Sequence, residues 1–247
     1  MERIERIVLH IPHASPVLPF GRSGWGEGIE KEISRWTDWY TDWLFASSSR
    51  LDPRIVAVAY PFSRFFCDAE RLENDPLEAV GQGRVYRRFG NLERTVLKEE
   101  LEFALRSYGE HRERLVKALS TYGPGTLLVD CHSFPEDLSD VDVCIGVNDD
   151  WSRPEDALIQ RAVGHFTSRG YSARVNEPYS NSVSPETGFR YTSLMIEVNK
   201  RTYLQGMNEM NMRKALFIRR CIEDFFHSVL EVRDAESVDS RHILHGK

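Results

Sequence analysis

Two histidines and one glutamate occupy positions where a side chain can do chemistry. His13, in HIPHASP, and His132, in DCHSFP, each follow an apolar run by a residue or two and stand beside small residues that leave room for a ligand. Histidine is the commonest metal ligand. Two of them at matching strand ends, brought together by a parallel sheet, make the beginning of a metal centre without any local motif. A catalytic zinc site takes three protein ligands and keeps one position open for water, whose pKa falls toward neutrality. The third ligand is sought among the acids of TDWYTD, where Asp38 is preferred and Asp42 is the alternative. An amphipathic helix carrying two solvated aspartates is the competing reading of the same residues.

Glu197 interrupts the apolar run SLMIEVN. Burying a charge is costly, so a carboxylate there is either paired or functional. It is neutralised by Lys200, Arg201 or another arginine, or it is a general base that takes a proton from water and returns it to a leaving amine. Arg64 and Arg71, with Asp68 between them in SRFFCDAER, are planar cations suited to gripping a substrate carboxylate. His111 lies on the apolar side of a long helical pattern and reads as a core histidine. A serine or cysteine hydrolase is disfavoured: Ser133 lacks a G-x-S-x-G elbow, and Cys131 points away from His132 on the same strand.

The elements that must position these groups alternate. RIVLHIP (6–12) reads as a buried strand stopped by proline, and a helical pattern follows from Ile29 to Leu44, with Asp38 and Asp42 on one face. RIVAVAYPF is a second strand, and SRFFCDAER continues as an extended piece or a charged turn. A long helix at about 91–120 ends at TYGPG. TLLVDCHS, VDVCIGVND, YSARVNEP and YTSLMIEVNK read as strands, 154–170 as a helix, and 207–231 as a final helix before a flexible tail from about 233. This order predicts one α/β domain spanning 1–247: a three-layer, mostly parallel or mixed sheet with helices on both faces. Sites in such sheets form beyond the carboxyl ends of the strands.

At 247 residues the chain can bury a substantial core without staples. Its net charge of −6 offers no basic stripe for a phosphate backbone, which argues against nucleic acid. No run approaches the roughly 18 apolar residues of a membrane span, and MERIERIVLH lacks signal-peptide order. The four cysteines are scattered and read as buried thiols in a reducing compartment. A cytoplasmic protein acting on a small molecule is expected.

Five segments in order resemble the N-formylglutamate amidohydrolase family: HIPHASP, TDWYTDWLF, SRFFCDAER, LLVDCHSF and LMIEVNKRTYL, together spanning about 7–204. The resemblance implies a fold like that of zinc-dependent exopeptidases, one zinc per chain held by His13, Asp38 and His132, and Glu197 as the base. It implies cleavage of N-formyl-L-glutamate to formate and glutamate, a step of histidine degradation, with Arg71 and Arg64 on the substrate carboxylate. Asp68 then orients an arginine. Two departures stand out. Glu70 replaces the asparagine expected before Arg71, and Ser180, Asn181 and Ser182 replace loop glycines in the stretch 176–188. They favour, as an alternative, another N-acyl amino acid or peptide-like substrate. A catalytically silent binding homologue is the reading from a different class.

Overall fold

The computed structural model describes residues 3–123 and 125–231. The tail expected from 233 lies outside them. In chain order the elements are β1 (Arg6–Ile11), α1 (Ile29–Trp36), α2 (Thr41–Phe45), α3 (Ser48–Leu51), β2 (Ile55–Ala59), β3 (Arg88–Phe89), β4 (Leu92–Glu93), α4 (Lys98–Tyr122), β5 (Thr126–Phe134), β6 (Val143–Gly146), α5 (Asp156–Thr167), β7 (Ala173–Val175), β8 (Thr192–Asn199), β9 (Leu204–Gln205), β10 (Glu209–Met210) and α6 (Met212–Leu230). Six strands form one sheet in the order β2-β1-β5-β8-β6-β7. Every pairing in it is parallel except β6 with β8, so the sheet is mixed. The two remaining strand pairs, β3–β4 and β9–β10, are short antiparallel hairpins.

Side chains alternate across a strand, and here the alternation sorts apolar from chemical residues. Ile7, Leu9 and Ile11 of β1, Leu127, Val129 and Cys131 of β5, and Leu194, Ile196 and Val198 of β8 share one core with residues of α2, α5 and α6. The opposite face carries Val8 and Leu128, which pack against Leu115 and Leu119 of α4. By the same period of two, His10, Asp130, His132 and Glu197 belong to that α4 face. Cys131 is therefore turned away from His132, as the strand pattern predicts. Among the described residues no helix is long and apolar enough to cross a membrane.

Two stretches differ from the sequence reading. The stretch 29–44 is two helices rather than one, because Thr37 leaves the helical region and Tyr40 adopts a left-handed φ of 63°. Asp38 and Asp42 consequently do not share a helix face. Helix α4 starts at Lys98, the residues from Arg88 having been taken up by the β3–β4 hairpin. Residues 63–71 take the second of the two forms expected of them, a charged turn, and add no strand.

Candidate functional site

The carboxyl ends of three adjacent strands bring the site together. His13 lies two residues beyond β1, His132 is on β5, and Glu197 is on β8. His132 and Glu197 are register partners across the parallel β5–β8 ladder, so they sit side by side on one face. Asp38 arrives from the turn between α1 and α2. Its amide donates to the carbonyl of His13 at 2.9 Å, and its own carbonyl accepts from the Thr41 hydroxyl at 2.8 Å. That turn is what carries the acid inward.

Asp38 Oδ2 stands 3.1 Å from His132 Nδ1 and 3.7 Å from His13 Nδ1. Asp42, the alternative ligand, is exposed and accepts from the amide of Trp43 at 2.8 Å. The far edges of both imidazoles face other acids. His13 Nε2 donates to Asp68 Oδ1 at 2.7 Å, and His132 Nε2 is 3.0 Å from Asp130 Oδ1. A carboxylate behind one ring nitrogen fixes the tautomer and leaves the other nitrogen's lone pair free. His13 Nδ1 is buried and has no hydrogen-bond partner.

These residues fit a divalent cation. In a tetrahedral zinc site with bonds of about 2.0–2.1 Å, ligand atoms lie about 3.3 Å apart, close to the two Asp38 spacings. Charge fits too. Burial works against a charged His132, yet Asp130 and Glu70 raise its pKa well above the ordinary histidine value. The acids around His132 thus favour a positive charge at this place, which a metal cation would also supply. Burial likewise opposes charge on Asp38, but its bond to His132 keeps the carboxyl below its usual range. His13, Glu70 and His132 also present one atom each within 4.8 Å of one another. Glu70 lies 3.8 Å from each Nε2. Asp68 holds His13 Nε2 on the Glu70 side, while His13 Nδ1, toward Asp38, and His132 Nε2, toward Glu70, are the two rings' buried nitrogens without a hydrogen-bond partner.

Glu197 is 8 % exposed, and its Oε2 is buried without a partner. Neither neighbouring cation neutralises it: Lys200 Nζ donates to the carbonyl of Arg35, and Arg201 bonds to Asp142 at 3.0 Å. Burial pushes the Glu197 carboxyl up to about 8. A carboxyl that titrates near neutrality suits proton transfer in either direction.

Arg64 and Arg71 converge on Asp68, with nitrogens 3.4 and 3.6 Å from its Oδ2. The same oxygen accepts from the Tyr86 hydroxyl at 2.5 Å. Asp68 thus holds His13 as well as the arginines; burial opposes its charge, but His13 and Arg64 hold it well below the carboxylate range. Arg64, Glu70, Arg71, His132 and Glu197 all line a cleft of about 410 Å³. The altered loop closes one side of it. Asn181 takes a left-handed φ of 73°, and the amides of Ser182 and Val183 bond to Asn148 and Asp130 at 2.9 Å. The loop lies so close to β6 that a Cβ on Gly146 would meet the Asn181 carbonyl oxygen at 2.4 Å.

A second set of residues lies behind the site. His10 Nδ1 bonds to Asp130 at 2.8 Å, and His10 Nε2 meets His111 Nε2 at 3.0 Å. His111 is fully buried, as a core histidine should be, yet it belongs to this polar chain. The signal for Asp130 was present in TLLVDCHS: an acid inside an apolar strand, two residues before His132 and so on its face. Tyr86 has no comparable signal.

Comparison with curated protein sequences finds no match. Among solved structures, an N-formylglutamate amidohydrolase from Ralstonia eutropha JMP134 superposes with a TM-score of 0.77 at 19% identity, covering 94% of each chain. A gene product from Agrobacterium tumefaciens gives 0.61 at 16% identity, covering 92% of each. These likenesses are of fold. The sequence profile described as N-formylglutamate amidohydrolase matches residues 5–204, and on that span, which holds every site residue above, the chain belongs to the N-formylglutamate amidohydrolase family.

Proposed function

We propose that the chain is a zinc-dependent amidohydrolase that cleaves the amide bond of an N-acyl amino acid, the family's namesake N-formyl-L-glutamate being the reference substrate. The observation that carries this reading is the buried, unpartnered Nδ1 of His13 facing Asp38 beside His132. His13, Asp38 and His132 would hold one zinc. When bound there, zinc supplies Lewis acidity toward the amide carbonyl and makes water acidic near neutral pH. Glu197, beside His132 on the cleft wall, takes a proton from the attacking water and delivers it to the leaving nitrogen. The acyl group leaves as a carboxylic acid and the amino acid as a free amine. Asp68 and Asp130 keep the imidazoles oriented, and Arg64 and Arg71 receive the substrate carboxylate. The four cysteines, all unpaired and buried, would stay reduced in the cytoplasm, where we place the reaction.

Metal analysis of protein purified without chelator tests this directly. About one zinc per chain, and loss of amidase activity on chelation with recovery on adding zinc, is the expected result. Chelator-insensitive hydrolysis would remove the metal from the mechanism. The second reading, a different N-acyl amino acid, is favoured by Glu70, whose Oε2 is 3.9 Å from Arg64.

A further inference from the structure

Behind His132 the polar groups form a line that ends on helix α4. Asp130 Oδ1 stands 3.0 Å from His132 Nε2 and 2.8 Å from His10 Nδ1, and Asp130 Oδ2 accepts from the amide of Val183 at 2.9 Å. His10 Nε2 in turn meets His111 Nε2 at 3.0 Å. His10, Asp130 and His111 are all fully buried, where a polar group without a bond is costly. His111 is itself held in place. Tyr60 packs edge to face on its ring, centroids 5.1 Å apart, and the Tyr60 hydroxyl bonds to Ser107, one turn earlier on α4, at 2.8 Å.

The positions of the protons follow from the partners. Asp130, with an amide on one oxygen and imidazoles on the other, is the acceptor of the set, so His10 carries a proton on Nδ1. One proton lies between the two Nε2 atoms. If it belonged to His10, neutral His111 would carry its own proton on Nδ1, which is buried without a hydrogen-bond partner. An orphaned buried N–H is rarer in native structures than an under-used acceptor. His111 therefore donates from Nε2 and leaves Nδ1 as a spare lone pair, and burial keeps the ring neutral by pushing its pKa down to about 2. The order is then His111 N–H to His10 and His10 N–H to Asp130, every donor aimed at the carboxylate behind His132. Such a chain polarises link by link, and it fixes the place of its last acceptor.

We propose that His111 is a positioning residue of the metal centre, holding His132 through His10 and Asp130. This rests on the zinc reading, and one of the two readouts needs no metal. Three variants separate the donor from the space it fills: His111→Gln, whose amide nitrogen reaches the place of Nε2; His111→Asn, whose amide nitrogen stops at the place of Nδ1; and His111→Leu, which has no donor. Competition with a chromophoric chelator should show zinc affinity lower by about tenfold in the Asn and Leu proteins, the small end of the range for losing an outer partner, and close to that of the unmodified chain in the Gln protein. In chelated protein the Val183 amide, bound to Asp130, should exchange its hydrogen faster relative to the amides of α6 in the Asn and Leu proteins but not in the Gln protein. Rescue by Gln supports the inference, because packing alone does not recognise a donor. Unchanged zinc affinity in the Asn and Leu proteins, or a loss of equal size in all three, overturns it. If the unmodified chain takes up no zinc, the metal reading fails, and Val183 exchange still decides whether His111 acts on Asp130.

Discussion

The amide of Asp38 donates to the carbonyl oxygen of His13 across 2.9 Å. This backbone bond ties the turn after α1 to the end of β1, and it places one proposed ligand by the main chain of another. Removing the Asp38 carboxylate should therefore leave the turn in place and abolish the cradle. Asp38→Ala should weaken zinc binding by more than the roughly 10–100-fold typical of losing an outer partner, whereas Asp42→Ala should not change it. Competition with a chromophoric chelator measures both. If Glu70→Gln removes the metal while Asp38→Ala does not, the Nε2 edge of the histidines is the true site.

Glu197→Gln should keep its zinc and lose about 10²–10⁴-fold in kcat, since the amide fills the same space without accepting a proton. Metal content and turnover are measured on one preparation. Near-normal turnover would assign proton transfer to another group.

The same substitution gives a pH signature in the metal-free protein. Burial raises the Glu197 carboxyl from an ordinary 4.5 to about 8. Below 4.5 the group is protonated whether the chain is folded or not, and it contributes no pH dependence. Between 4.5 and about 8 the unfolded chain releases this proton and the folded one retains it, so the folded state binds more protons and stability falls as pH rises. Above about 8 the effect levels off. Thermal melts of chelated protein should show the Glu197→Gln variant gaining stability relative to the unmodified chain across that window. Parallel curves would contradict the assignment.

His10 lies behind the proposed ligands rather than among them. His10→Ala removes one hydrogen-bond partner from buried Asp130, which should cost about 1–3 kcal/mol of stability. It should also lower zinc affinity by about 10–100-fold, because Asp130 orients His132. Urea unfolding and zinc competition report the two effects separately, and a stability loss with unchanged zinc affinity would confine His10 to packing.

Arg71→Ala should raise KM more than it lowers kcat if Arg71 grips the substrate carboxylate away from the reacting bond. Steady-state kinetics with an N-formyl amino acid distinguish this from a fall in kcat alone, which would put Arg71 in the proton-transfer machinery.

Strand-end chemistry was legible because period-two alternation and burial costs are local properties. His13, His132 and Glu197 could be placed from an apolar run that ends or is interrupted by a polar group. The same logic, applied to TLLVDCHS, reaches Asp130. The break after Trp36 was not legible. Apolar spacing runs smoothly through TDWYTD, and what stops the helix is long-range: the Asp38 bond to His13, together with the left-handed Tyr40 whose hydroxyl reaches the carbonyl of Asn208. Helical periodicity carries no record of such partners, so tertiary structure overrides it. Glu70 was recognised as a departure, but its approach to both imidazoles depends on how the turns of 63–71 fold over the sheet.

The register of β8 against β5 has a further consequence. Because Glu197 is opposite His132 by ladder pairing, a slip of one residue would present Ile196 or Val198 in its place and send the carboxylate into the α5–α6 core. No partial displacement lies between those states. The separation of acid and imidazole is thus quantised by the peptide repeat, and change is channelled into the turns and loops around the cleft, where side chains can be exchanged without moving Glu197 or His132.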